Sequence, residues 1–230
     1  MILLSIISST AIKLIQPGMT LSLGGGSNVL TLVQELKASH LATMVTLYSP
    51  SELTLHQGQL LGLEVKPIEQ AATIDLAFDG CDSVDEQLNA LKSGGGIHLF
   101  EKIAAQKAKA YYLLAPKTKI SPKLNPQIPL CLEVAEPCLT SVLQQAEQLG
   151  LNAQVRQGQA VASLARTPLG NLLVDITASD WDNIIEIDHK LVDLNGVISS
   201  SFFTDLVSGV ISEDHGTGII FKGGTNYEQI

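Results

Sequence analysis

The chain has 230 residues, 45% hydrophobic and 16% charged, a balance that excludes intrinsic disorder and allows a full core. Lys and Arg number 14 against 23 Asp and Glu, a formal net charge of -9. Generic attraction to phosphodiester backbones or anionic lipid is therefore opposed, and any anionic ligand has to be held locally. Neither nucleic acid nor a membrane is an expected partner.

Three cysteines, Cys81, Cys131 and Cys138, form no CxxC or Cys/His array, which argues against a disulfide scaffold or a zinc site and for a reducing, cytoplasmic setting. The apolar opening from Met1 to Ile7 has no basic stretch before it and no small-residue cleavage signal after it. It reads as a first helix running to about Ile15 and stopped by Gln16-Pro17-Gly18, not as a signal peptide. Residues 20–23 then read as a buried strand, Gly24-Gly25-Gly26 as a turn, and Val29, Leu30, Val33 and Leu36 as one face of a helix. Further strands are expected at residues 44–48, 63–65, 74–78 and 110–114, with helical stretches between most of them. Such alternation predicts a parallel Rossmann-like sheet covered on both faces, with ligands at the carboxyl ends of its strands.

Between Lys117 and Pro129 three X-Pro pairs interrupt any regular element. The pattern beyond reads as strand, helix, strand, strand, helix, strand, with the helices over residues 139–149 and from Trp181 to Val192, an order that defines a ferredoxin-like α+β unit. The expected division is thus an α/β domain of residues 1–126 plus 200–230, and an inserted βαββαβ domain of residues 127–199. A closing hairpin over residues 207–221 returns to the first.

Three clusters can carry chemistry. Gly24-Gly25-Gly26-Ser27-Asn28, between strand and helix, offers free N–H groups and a helix dipole to a phosphate; a plain turn capped by Ser27 is the alternative. Asp79 and Asp82 follow an apolar strand, in a ligand crevice or simply in an Asp-stabilised turn. Lys92-Ser93-Gly94-Gly95-Gly96 places a cation beside backbone donors. Glu101, in the first turn of the next helix, is either a proton-moving carboxylate raised by burial or a solvated acid complementing the helix dipole. His98 reads as a packing or surface residue, and no cysteine has a local basic partner that would make it a nucleophile.

Together, DGCDSVDEQLNALKSGGGIHLFEKIAA resembles the signature of ribose-5-phosphate isomerase, type A: an Asp-Gly-Ala-Asp-Glu turn, a Lys-Gly-Gly-Gly loop and a Glu-Lys at fixed later spacing. Scattered pieces extend the resemblance over nearly the whole chain, among them Thr118-Lys119, Arg156-Gln157-Gly158 and Asn195-Gly196-Val197. It implies a cofactor-independent, metal-free aldose-ketose isomerase acting on ribose 5-phosphate and ribulose 5-phosphate through an enediolate, as a homodimer or homotetramer. Carried over by position, Glu101 is the proton-transferring carboxylate, Asp79 and Asp82 contact the sugar and assist ring opening, and Lys92 steadies the enediolate. Gly80, Cys81, Ser93, Gly94, Gly95 and Lys119 fall on further substrate contacts, and Gly25, Gly26, Ser27 and Asn28 on the phosphate loop.

This chain departs from the family at that loop, with Gly25 and Asn28 where threonine is usual. Ser93 replaces a glycine, Phe100 stands where a basic residue is common, and Leu4-Ser5 where lysines are. A non-catalytic or altered-specificity sugar-phosphate-binding paralogue is the alternative reading. At position 25 a glycine with positive φ would resist restoration of threonine.

Overall fold

The computed structural model describes residues 5–229; Met1 to Leu4, and with them most of the apolar opening, lie outside that range. The chain begins with α1 (Ile6–Ile12), β1 (Thr20–Leu23), α2 (Ser27–Ala38), β2 (Thr46–Ser49), α3 (Glu52–Leu60), β3 (Val65–Pro67) and β4 (Ile74–Asp79). Two short strands, β5 (Ser83–Val84) and β6 (Ala90–Leu91), precede α4 (His98–Lys107) and β7 (Ala108–Leu114). Then come β8 (Leu130–Val134), α5 (Leu139–Gln148), β9 (Asn152–Val155), β10 (Leu172–Thr177), α6 (Ile184–Val192) and β11 (Val197–Ser200). The chain closes with β12 (Phe202–Phe203), β13 (Gly209–Asp214), β14 (Thr217–Phe221) and β15 (Tyr227–Gln229).

The main sheet has the order β15-β14-β13-β7-β4-β1-β2-β3. From β3 to β13 every neighbouring pair is parallel, and β14 and β15 add an antiparallel edge. Apolar clusters cover both faces: one joins Ile7, Val29, Leu32, Leu36 and Phe78, the other Ile74, Ala104, Tyr111, Phe203 and Val210. Burial on both faces accounts for strands that read as apolar runs without strict alternation.

The second sheet, β11-β8-β10-β9, is wholly antiparallel. With α5 and α6 it builds the βαββαβ unit around Leu132, Val142, Val174, Trp181 and Leu191, so the α/β fold with a ferredoxin-like insertion is borne out. A third sheet of order β12-β6-β5 had no counterpart among the expected elements, because two-residue strands leave no periodicity to read.

Several boundaries differ. α1 ends at Ile12 because Lys13, Leu14 and Ile15 donate to carbonyls only three residues back, a tightened exit that precedes Pro17. The third strand lies two residues later than expected, since Leu63 N–H is taken by the Gly58 carbonyl in closing α3. Trp181 sits ahead of α6, its indole N–H donating to Ile128 O at 3.0 Å. Among the described residues no helix is long and apolar enough to cross a membrane.

Candidate active site

Because β1 and β4 are parallel neighbours with Leu23 beside Phe78, their carboxyl ends deliver Gly24 and Asp79 side by side. A Cβ at position 24 would overlap the Asp79 carboxyl group, so glycine there lets the acid lie across the turn. Asp79 is almost fully buried. Its Oδ1 accepts from Gly25 N–H at 3.2 Å and Gly80 N–H at 2.8 Å and lies 3.1 Å from Lys92 Nζ, while its Oδ2 accepts from Tyr111 Oη at 2.9 Å. Four donors on two oxygens offset the cost of desolvating the charge.

The β5–β6 ribbon turns the chain back, so that Lys92 enters under Asp79 and also donates to the Gly80 carbonyl. Gly94 to Gly96 then lead into α4, where Glu101 in the first turn places Oε1 3.2 Å from Lys92 Nζ. Glu101 is only 5% exposed, which excludes the solvated-acid alternative. Asp82 is held from one side: Oδ2 accepts from the N–H groups of Ser93 at 2.7 Å and Gly94 at 2.9 Å.

Electrostatics separate these groups. Burial first, and then the charge of Asp79, raise the Glu101 carboxyl to about 8 despite Lys92 beside it. Burial works against the Lys92 charge, but Asp79 and Glu101 outweigh it and hold the ammonium well above its ordinary range. Burial lifts the Tyr111 phenol well above its usual value, so it stays a neutral donor to Asp79. The Cys81 thiol is pushed up to about 12 by burial, against the pull of Lys92 and Lys119, and is no nucleophile.

The sequence model of the family described as ribose 5-phosphate isomerase A (phosphoriboisomerase A) matches residues 46–216. This chain belongs to that family. It is 30% identical over 210 residues to ribose-5-phosphate isomerase A of Synechococcus sp. (strain CC9605), spanning 89% of this chain and 87% of the relative. It is 29% identical over 214 residues to that of Prochlorococcus marinus (strain NATL1A), spanning 89% of each. The structure of ribose 5-phosphate isomerase A from Methanocaldococcus jannaschii superposes with a TM-score of 0.86 at 25% identity, over 97% of this chain and 96% of that one. A D-ribose-5-phosphate isomerase solved with phospho-erythronic acid shares the fold, with a TM-score of 0.87 at 22% identity over 98% and 96% of the two chains.

A cavity of about 400 Å³ opens at the carboxyl ends of the strands. Twelve of the fourteen residues expected at the isomerase site line it. Gly25, Gly26, Ser27 and Asn28 contribute from the turn before α2, and Asp79, Gly80, Cys81 and Asp82 from the end of β4. Lys92, Gly95, Glu101 and Lys119 complete the set. Ser93 and Gly94 are not among the lining residues. The Ser93 hydroxyl donates to Pro129 O and lies 3.0 Å from Ser201 Oγ, and Gly94 serves through its N–H to Asp82.

The turn before α2 differs from its expected form in two respects. Gly26, not Gly25, takes the left-handed conformation, with φ 97°, and α2 starts without a side-chain cap, so Ser27 does not cap it. Asn28 is committed elsewhere, its Nδ2 donating to Leu114 O at 3.0 Å. His98 packs, fully buried, its Nε2 3.3 Å from Ser199 O and its pKa lowered to about 3 by burial and then by Lys102.

Sequence reasoning missed Tyr111, Ser51, Glu52, Leu53, Ile97 and Pro168. Ser51 was within reach: a Ser three residues before Thr54, at a strand-to-helix junction, is a helix-capping position at a strand's carboxyl end, and its Oγ does accept from Thr54 N–H.

Proposed function

We propose that this chain interconverts ribose 5-phosphate and ribulose 5-phosphate by proton transfer through an enediolate. The observation that carries the reading is the buried Glu101–Lys92–Asp79 row, with 3.2 Å and 3.1 Å between neighbours, in which Glu101 titrates near 8. A carboxylate in that range is strong enough to take a carbon-bound proton and still return it. Glu101 removes the proton from C2, the C2–H electron pair becomes the C1–C2 double bond, and the carbonyl electrons move onto O1. The Lys92 ammonium, kept charged by Asp79, stabilises that developing oxyanion. Protonated Glu101 then delivers its proton to C1, while the O2 proton passes to O1 and the ketone forms at C2.

Ring opening is assigned to Asp79 and Asp82, with Asp82 the better placed to move a proton, since Asp79 already carries four donors. The turn before α2 receives the phosphate, with Lys119 nearby. The reading includes catalysis without metal or cofactor, a homodimer or homotetramer, and a cytoplasmic location, the last in keeping with three free cysteines.

The test is ketose formation from ribose 5-phosphate, with and without EDTA, by the parent protein and Glu101→Gln. The amide is nearly isosteric but cannot accept the proton, so a fall of roughly 10²–10⁴-fold is expected, with the parent rate unchanged by EDTA. A variant within threefold of the parent, with unchanged circular dichroism, rejects Glu101 as the base. The commitment of Asn28 to Leu114 favours one second reading, an enzyme of altered sugar-phosphate preference, which a panel of pentose and hexose phosphates separates from the first.

A further inference from the structure

We propose that Ser51 is a phosphate-binding residue of this site, its hydroxyl donating to a phosphate oxygen beside Gly25; this rests on the sugar-phosphate reading above. β2 lies next to β1, with Tyr48 beside Ser22, so the segment leaving β2 passes the turn that leaves β1. Ser49 fixes that segment: its Oγ donates to Leu23 O and accepts from Ser51 N–H at 3.0 Å. Ser51 is 5% exposed and lines the same cavity as Gly25, Ser27 and Lys119.

The hydroxyl is half used. Its oxygen accepts from Thr54 N–H at 3.3 Å, capping α3, but among the described residues its proton has no acceptor. A hydroxyl that already receives an N–H is polarised to donate, and an anion is the strongest acceptor it can meet. Gly25 gives it access. A Cβ built at position 25 would lie 3.8 Å from both Ser51 Oγ and Ile97 Cδ1, so bare backbone leaves open space in front of the hydroxyl.

Besides the N–H groups and the Ser27 hydroxyl of the turn before α2, the other side-chain donors lining the cavity are already engaged. Lys92 is held by Asp79 and Glu101, Asn28 by Leu114 O, and Lys119 already donates to Cys81 O. Glu52, exposed and lining the same cavity, adds a negative charge that opposes a dianion, which makes each remaining donor count for more.

The donor and the cap separate by substitution. Ser51→Thr keeps both, Ser51→Asp keeps the cap but loses the donor, and Ser51→Ala loses both. Calorimetric titration with phospho-erythronic acid, which cannot be isomerised, is expected to show Ser51→Thr within about twofold of the parent. Ser51→Ala should be weaker by about tenfold and Ser51→Asp by more. The same series titrated with erythronic acid, which lacks the phosphate, should be flat.

Binding that follows the cap, with Ser51→Asp like the parent and only Ser51→Ala weakened, overturns the inference, as does an equal loss for erythronic acid or no loss at all. The parent's isomerase rate is read separately. An active enzyme with Ser51-independent binding defeats only this inference, and an inactive protein whose phospho-erythronate binding needs the Ser51 donor defeats only the isomerase reading.

Discussion

Asp79 is a carboxylate with no free oxygen: Gly25, Gly80, Lys92 and Tyr111 take both of them. Its negative charge is, after burial, the largest influence raising Glu101. The rate should therefore climb with pH through about 8, as Glu101 loses its proton, with no descending limb from Lys92 near neutrality because that ammonium is held so strongly. Asp79→Asn removes the neighbouring charge, so Glu101 ionises more easily, and the ascending limb of kcat/KM should move to lower pH while the plateau falls. A pH–rate profile checks this, and an unmoved limb would mean that Asp79 does not set the Glu101 affinity. At the turn before α2, Gly25→Thr is the substitution to make: Gly25 has no positive φ, and a Cβ there makes only ordinary contacts. Asn28→Thr, in contrast, deprives Leu114 O of the Asn28 amide donor. Because a side chain at position 25 fills the space in front of the Ser51 hydroxyl, Gly25→Thr should raise KM for ribose 5-phosphate severalfold in a steady-state assay. A lowered KM would mean that the threonine hydroxyl serves the phosphate instead. The sequence singled out Asp79, Lys92 and Glu101 because Asp79 ends an apolar strand, Lys92 stands just before the run of Gly94 to Gly96, and Glu101 follows it. Tyr111 was illegible, since its bond to Asp79 crosses from β7 to β4 and no local pattern reports what a strand side chain meets on its neighbour.

The elements place these residues through the ends of parallel strands. β1, β4 and β7 run together, and α4 packs on both β4 and β7, which fixes Glu101 over the sheet end. Those strands and helices were legible because apolar runs bounded by Gly and Pro are a direct imprint of burial. Boundaries were less so, since i−3 hydrogen bonds at helix exits and a turn such as Gly58–Leu63 are decided by backbone geometry. The closest fit in the site is also one of elements, the turn after β1 against the end of β4. Gly24→Ala should drive its new methyl group into the Asp79 carboxyl, at a strain of about 1–3 kcal/mol. Since Asp79 anchors Lys92, kcat/KM should fall by ~10² or more while circular dichroism stays unchanged; full activity would mean that the turn yields without disturbing the acid.

At the scale of the molecule, we propose residues 127–199 as a unit inserted into a domain of residues 1–126 plus 200–230, supported by a separate apolar core around β8, β10, α5 and α6. The insertion nonetheless reaches the site: Arg156, paired with Asp175, donates to Gly94 O at 3.4 Å, and Pro168 lines the cavity. Composition could mark where the unit starts, but not that it touches the glycine loop of the other.

The whole fold also bears the cost of burying the Glu101 carboxyl. Glu101 has an ordinary value of 4.5 and one of about 8 in the folded chain. Below 4.5 the group is protonated folded or unfolded, and it leaves stability unchanged. Between 4.5 and 8 the unfolded chain ionises while the folded one keeps its proton, so stability is lost steadily as pH rises, and above 8 the loss is complete. Glu101→Gln removes that dependence, and Lys92 keeps Asp79 as its counter-ion. In scanning calorimetry the variant should melt together with the parent near pH 4, and above it by a margin that widens to a plateau beyond pH 8. A Tm at pH 8 equal to or below the parent's would mean that the Lys92 contact repays the burial of the carboxylate, and that Glu101 is not poised near 8.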